Sequence, residues 1–252
     1  MFYEVSGQGP SFCFQHGLSA NIAQSKGTVG SLTDLHLVLA DAPGHGSSPL
    51  ASDQSASFDY YAKSWLDLMD QLQLQESIFG GISMGSGIAI NLALRAPERI
   101  RALILIRPAW LDAGNPESLR MLTEAAPYLS QPDGRTKFEA RADFQAFQQA
   151  VPKAADSLLG VFGNHQRPEL AQVLYEMVAD QPFSSMEDLG RINCPCLIIA
   201  NDTDPLHPVF MAEAIHHKIP NSQYELVHSK YLDQTQHSKE VLQLVQNFIQ
   251  QL

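Results

Sequence analysis

Positive charge is scarce in this chain. Its 252 residues hold 16 Lys and Arg against 27 Asp and Glu, a formal net charge of −11. The basic residues are scattered, whereas nucleic-acid affinity rests on grouped cations. A nucleic-acid partner is therefore not expected. Long apolar runs are lacking too, since no stretch approaches the roughly 20 residues that span a bilayer. The opening "MFYEVSGQGP" has no basic region leading into an apolar one, so neither a membrane partner nor a secretory signal is expected. Cysteine is limited to Cys13, Cys194 and Cys196. The last two flank Pro195 too closely for an easy disulfide, and two thiols without a second pair make a poor zinc site. They read as small buried residues entering a strand, with no metal and a reducing, cytoplasmic setting expected. Internal repeats and low-complexity tracts are absent.

What remains is ordinary globular composition, 44% hydrophobic and 17% charged, with length for one large domain or two small ones. Short apolar runs ending in turn residues recur at 11–17, 35–46, 77–83, 101–108, 196–204 and 223–229. Such near-continuous runs suit strands buried on both faces of a parallel sheet. Helical patterns alternate with them. Ser57 is placed to cap a helix bearing Tyr61, Trp65, Leu68, Met69 and Leu72 on one face. Another follows Ser83 with Ile88, Leu92 and Leu94 until Pro97 stops it. The last carries Val241, Leu244, Val245 and Phe248. Strand and helix in alternation predict an α/β fold with a mostly parallel central sheet flanked by helices.

One segment breaks the rhythm. From about Asn115 to Asp188 there are six prolines and short amphipathic runs but no convincing strand. This predicts a helical cap over the sheet edge, with 1–112 and 189–252 as the two parts of the core and 113–188 as the cap.

"GGISMGSG", residues 80–87, joins a strand pattern to a helix pattern. Gly81-Ile82-Ser83-Met84-Gly85 matches G-x-S-x-G, in which a serine holds a strained conformation at a strand tip and its neighbours two residues away must be small. Gly87 then lets the helix start close to neighbouring strands. A phosphate loop would need Lys followed by Ser or Thr at the helix start, and "GSGIAIN" has neither. A dinucleotide fingerprint would need an acid at the end of the next strand, where "LILIRPAW" ends on Arg107.

With "HG" at 16–17, "DAPGHGSS" at 41–48, the serine turn, "DTDPLHP" at 202–208 and a closing helix, the chain resembles the α/β-hydrolase fold family over essentially its whole length. The resemblance implies Ser83 as nucleophile, with the backbone N–H groups of Leu18 and Met84 receiving the oxyanion. It implies Asp204 as the acid, because Asp204 and Pro208 fit D-x-x-x-P and Asp202 reads as a turn former. Ala200 and Asn201 stand where many relatives carry glycine. The base should lie between the last strand and the last helix, often as "GH", a dipeptide this stretch lacks. His228 and His237 are the candidates, and His237 at the doorway of the final helix is favoured. His16 is expected to stabilise its loop.

The expected chemistry is hydrolysis of a small ester or related carbonyl substrate through a Ser-His-Asp triad and an acyl-enzyme, with no cofactor. Carbon–carbon bond hydrolysis, cofactor-free perhydrolysis and ligand binding with vestigial turnover stay open on the same fold. Arg107, directly after a buried strand, faces a desolvation cost unless paired. It is read either as a structural ion pair, with Asp112 or a cap acid, or as an anchor for a substrate carboxylate with Trp110 packing on the acyl part. The oligomeric state is not legible.

Overall fold

Apolar runs long enough to cross a sheet, but too short for a helix of several turns, become seven strands in a computed structural model that describes residues 1–163 and 168–252. They are β1 (Tyr3–Ser6), β2 (Ser11–Gln15), β3 (His36–Ala40), β4 (Ser77–Ile82), β5 (Ile100–Ile106), β6 (Cys196–Asn201) and β7 (Ser222–Val227). Their order across the sheet is β1-β3-β2-β4-β5-β6-β7. Only the β1–β3 pair is antiparallel. Every residue of β4 and β6 is buried, as a parallel sheet covered on both faces requires. The strand order reverses between β2 and β4, so the connections leaving them diverge and open a crevice at their C-terminal ends.

Helices cover both faces: α1 (Ile22–Val29), α2 (Phe58–Gln71), α3 (Met84–Arg95), α4 (Arg120–Ala125), α5 (Gly134–Glu139), α6 (Ala142–Ala150), α7 (Pro152–Leu159), α8 (Leu170–Ala179), α9 (Val209–Lys218) and α10 (Gln234–Ile249). Ser57 does cap α2, its Oγ accepting from Tyr60 N at 3.1 Å. The face of α2 carrying Tyr61, Trp65, Leu68 and Met69 is buried, and full burial of a side chain like Met69 contributes roughly 1.5–3 kcal/mol. Trp65 meets Phe79 of β4 edge to face, and its Nε1–H donates to Gln15 Oε1 at 2.7 Å. α3 ends before Pro97. On the opposite face Phe12, Phe14, Ile78, Ile104 and Leu197 pack with Val241, Val245 and Phe248 of α10.

Between β5 and β6 the described residues form helices and turns without a strand. Positions 164–167 of the expected 113–188 segment lie outside the described residues. α8 ties this segment to the core with two carboxylates: Glu176 Oε2 accepts from Ala56 N and Asp180 Oδ2 from Phe58 N, both at 2.7 Å. Acids at the N-terminus of α2 satisfy orphan amides and suit the helix dipole.

All three cysteines are free. Burial pushes the Cys13 thiol up to about 12 and Cys194 up to about 11. Among the described residues no helix is long and apolar enough to cross a membrane.

The glycines around Ser83 differ in what they permit. A Cβ on Gly85 would collide with the backbone of Gln15 on β2, and one on Gly81 with Gly85 itself. Gly87 faces the ring of Phe58 on α2 and no strand, so the close strand approach expected of Gly87 belongs to Gly85. Gly85→Ala should therefore destabilise the fold by about 1–3 kcal/mol through overpacking against an immovable backbone. Urea denaturation will check this, and an unchanged midpoint would remove the steric argument.

Candidate active site

Parallel strands deliver their outgoing loops to one edge, and five of those loops build the site. β4 ends at Ser83, whose φ of 55° and ψ of −110° lie in sparsely populated backbone space, a cost on the order of 1–3 kcal/mol. The turn is held against β5 by Ser83 N, which donates to Ile106 O at 2.9 Å, and against the end of β4 by Ser86 Oγ, which donates to Gly81 O at 2.8 Å. Ser83 is 7% exposed. Met84 opens α3, where a helix offers an N–H no intrahelical acceptor.

Leu18 lies in the turn after β2, closed by Ala20 N donating to Gly17 O at 3.1 Å. His16 braces that turn. Its Nδ1–H donates to Gly17 O at 2.8 Å, and its Nε2 accepts from Ala42 N at 3.0 Å. Burial pushes its pKa down to about 4, so it stays neutral as a clamp between two loops. Asp41 fastens the next loop, accepting from Ile22 N and Ser47 N at 2.7 Å each.

Ser83 opens onto a cavity of about 230 Å³ that Gly17, Leu18, Arg107, Trp110, Leu119, Leu122, Leu158, His207 and Lys230 help to line. Arg107, in the left-handed region at φ 50°, follows β5. Its Nη1 lies 3.4 Å from Asp204 Oδ2, and both side chains are almost wholly buried. The partner of Arg107 is thus Asp204, while Asp112 Oδ2 accepts from Met186 N at 3.2 Å. Arg107 Nε and Trp110 Nε1 are buried donors without a partner among the described residues. Trp110 packs edge to face on Phe58.

Asp204 follows β6. Its Oδ2 also meets His207 Nδ1 at 3.0 Å, and its Oδ1 accepts from Leu206 N at 3.1 Å. Burial alone would raise this carboxyl, but His207, then Arg107 and Lys230, outweigh it and hold the pKa well below the usual range. Asp202 is exposed in the turn, accepting from Thr203 Oγ1 at 3.3 Å. Burial lowers the His207 pKa; Asp204 opposes this, while Arg107 and Lys230 reinforce it.

The residues between β7 and α10 are 228–233. His228 is exposed, its Nδ1 2.7 Å from Glu240 Oε1. His237 sits inside the first turn of α10, with its Nδ1–H donating to His228 O at 2.8 Å. It lines a second cavity of about 250 Å³, which shares Arg107 and Lys230 with the first. Among the described residues no hydrogen bond joins His237 to Ser83 or Asp204. Lys230 Nζ reaches Ser157 Oγ at 3.3 Å and lies 4.5 Å from the Tyr231 ring centroid. Burial, then Arg107, push its pKa down to about 7 against the pull of Asp204.

Two polar residues at the cavity thus escape a reading by sequence position. Lys230 occupies the loop searched for a histidine, and a search confined to imidazoles passes over it. His207 lies within "DTDPLHP", three residues after the acid, where no strand-end rule points. Among the described residues no group of three His, Cys, Asp or Glu could hold a metal ion.

The sequence pattern of the alpha/beta hydrolase fold matches residues 10–230. RutD of Pseudomonas syringae pv. syringae, provisionally named a carbamate hydrolase, is 29% identical over 82% of this chain and 85% of its own. A 3-oxoadipate enol-lactonase of Acinetobacter baylyi is 22% identical over 96% of this chain and 90% of its own. The structure of a thermophilic esterase from Thermogutta terrifontis superposes with a TM-score of 0.78 at 21% identity, covering 99% of this chain and 93% of that one.

The depressed Asp204 pKa carries a stability consequence with a definite sign. Its contribution is complete above the unfolded value of 3.8 and is lost as the pH falls through the lower folded value. Asp204→Asn should lower stability near neutrality and flatten its fall from about pH 5 to about pH 2. Urea midpoints across that range test it; parallel curves for the two proteins would remove Asp204 from the acid limb.

Proposed function

Because the chain belongs to the alpha/beta hydrolase fold family and is a hydrolase, we propose that it cleaves a small ester or related carbonyl substrate through an acyl-enzyme on Ser83. The observation that carries this reading is the backbone of Ser83. A strained, non-glycine residue ends a fully buried strand, precedes a helix N-terminus and borders a cavity. Strain of that kind is retained where a side chain has work to do. The cavity of about 230 Å³ is smaller than pockets for drug-sized ligands, roughly 300–1,000 Å³, which favours a small acyl group. The relatives' names, carbamate hydrolase, enol-lactonase and esterase, denote cleavage beside a carbonyl with a heteroatom leaving group.

In this mechanism Ser83 Oγ bonds to the carbonyl carbon while its proton passes to a base beside the cavity. The oxyanion accepts hydrogen bonds from the Met84 and Leu18 amides, and losing one such donor costs about 10²–10³ in rate. The leaving group departs with the proton, and water then attacks the acyl-enzyme. Asp204 supplies the negative charge that steadies the protonated base. Arg107 Nε and Trp110 Nε1, donors without a partner, suit a polar oxygen of the substrate, and the indole face suits its acyl part.

Ser83→Ala should abolish turnover of short chromogenic esters while keeping the melting temperature. A fluorophosphonate should label the native protein once, at Ser83. Ester turnover or labelling that survives in the Ala variant would place the nucleophile elsewhere. A single burst without steady turnover would mark a binder and not an enzyme.

A further inference from the structure

A serine nucleophile needs a base in its own cavity, and that base needs a third group to orient it. His207 meets the second condition directly and shares the cavity with Ser83. A carboxylate oxygen can only accept, so the 3.0 Å contact with Asp204 fixes the proton on His207 Nδ1. Nε2 is left with the lone pair. His237 borders the other cavity, and its Nδ1–H is given to a backbone carbonyl. His228 is exposed and held by Glu240.

Building on the serine-hydrolase reading above, we propose that His207, three residues after its own orienting acid Asp204, is the base that takes the Ser83 proton. In acylation the Oγ–H proton moves to Nε2 as the Oγ–C bond forms and the carbonyl pair moves onto oxygen. The proton then passes from Nε2 to the leaving heteroatom as its bond to carbon breaks. In deacylation Nε2 takes a proton from water as the water oxygen bonds to the acyl carbon, and returns it to Ser83 Oγ as the Oγ–C bond breaks and the acid leaves. The sum is substrate plus water giving acid and alcohol, or amine, with every proton returned.

The surroundings suit that role. The charged groups acting on His207 are Asp204 on its own loop, Arg107 from the end of β5 and Lys230 from the loop before α10; Tyr231 lies beside Lys230 and Asp204, and Ser157 of α7 is polar and uncharged. The two cations oppose protonation of the imidazole, and Asp204 favours it. Burial tips the balance, so the imidazole is a neutral acceptor at and below its ordinary value of 6.5. Lys230 acts on the imidazole as a neighbouring charge.

The test measures kcat and kcat/KM against pH on a short chromogenic ester, with melting temperatures in parallel. His207→Gln should lose at least about 100-fold in kcat, and His237→Gln far less. The acid limb of the native enzyme should lie below 6.5. Lys230→Met should keep turnover and move that limb upward, because a cation that opposes protonation is gone. This variant decides alone if His207→Gln does not fold. A Lys230→Met protein without turnover, or with an unmoved limb, overturns the proposal. So does a native limb centred near 7, where the Lys230 amine titrates, or a His237 variant that is the inactive one. Turnover surviving in Ser83→Ala would instead refute the serine-hydrolase reading itself, a separate result.

Discussion

The chain must turn from a fully buried strand into a helix within a single residue, and the rest of the site depends on that constraint. Ser83 adopts a backbone conformation that a side chain resists. It is kept there because the alternatives are closed. Gly81 and Gly85 have no Cβ to hold the passing chains apart, and hydrogen bonds from Ser83 N and Ser86 Oγ pin the turn to β5 and to the end of β4. The same turn leaves the first amide of α3 beside the hydroxyl. On the reading proposed above, nucleophile and oxyanion donor are both consequences of one backbone geometry.

Charge is the second organising quantity. Arg107, Asp204, His207 and Lys230 come from the outgoing ends of three strands and converge with little water to screen them. Removing ions from water costs several kcal/mol each, and mutual attraction repays it only in part. Asp204 carries the burden of compensation, holding Arg107 and His207 with one oxygen. A cluster with more positive than negative groups keeps its imidazole neutral and weakens its ammonium group. Both effects follow from burial combined with a charge imbalance.

Much of this was legible in the sequence. The apolar runs located the central strands because burial on both faces leaves an unbroken signal. Ser57, Pro97 and the face of α10 worked because caps, breakers and helical periodicity are local. The strained turn was legible for the same reason, since its steric demand is met by glycines two residues away. β1 was not. It is a short edge strand, half exposed, held by pairing with β3, and pairing leaves no local mark. Gly87 showed the limit of a correct pattern, because periodicity cannot say which neighbour a glycine faces. The contacts of Asp204 with Arg107 and His207 are readable only in three dimensions, as |i−j| of 97 for the Arg107 contact makes plain.

The cavity wall has two sources. Ser83, Arg107, His207 and Lys230 come from loops of the sheet, whereas Leu119, Leu122 and Leu158 come from the helices between β5 and β6. The polar half is bound to a strained turn and to one shared carboxylate oxygen, so exchange of Arg107, His207 or Lys230 disturbs ionisation. The apolar half is made of leucines whose replacement alters shape and leaves charge alone. If this cavity is the substrate site proposed above, substrate range can drift by small volume changes in one part of the chain while the reaction is conserved by another. Such a division lets a scaffold acquire new selectivity without relearning its chemistry.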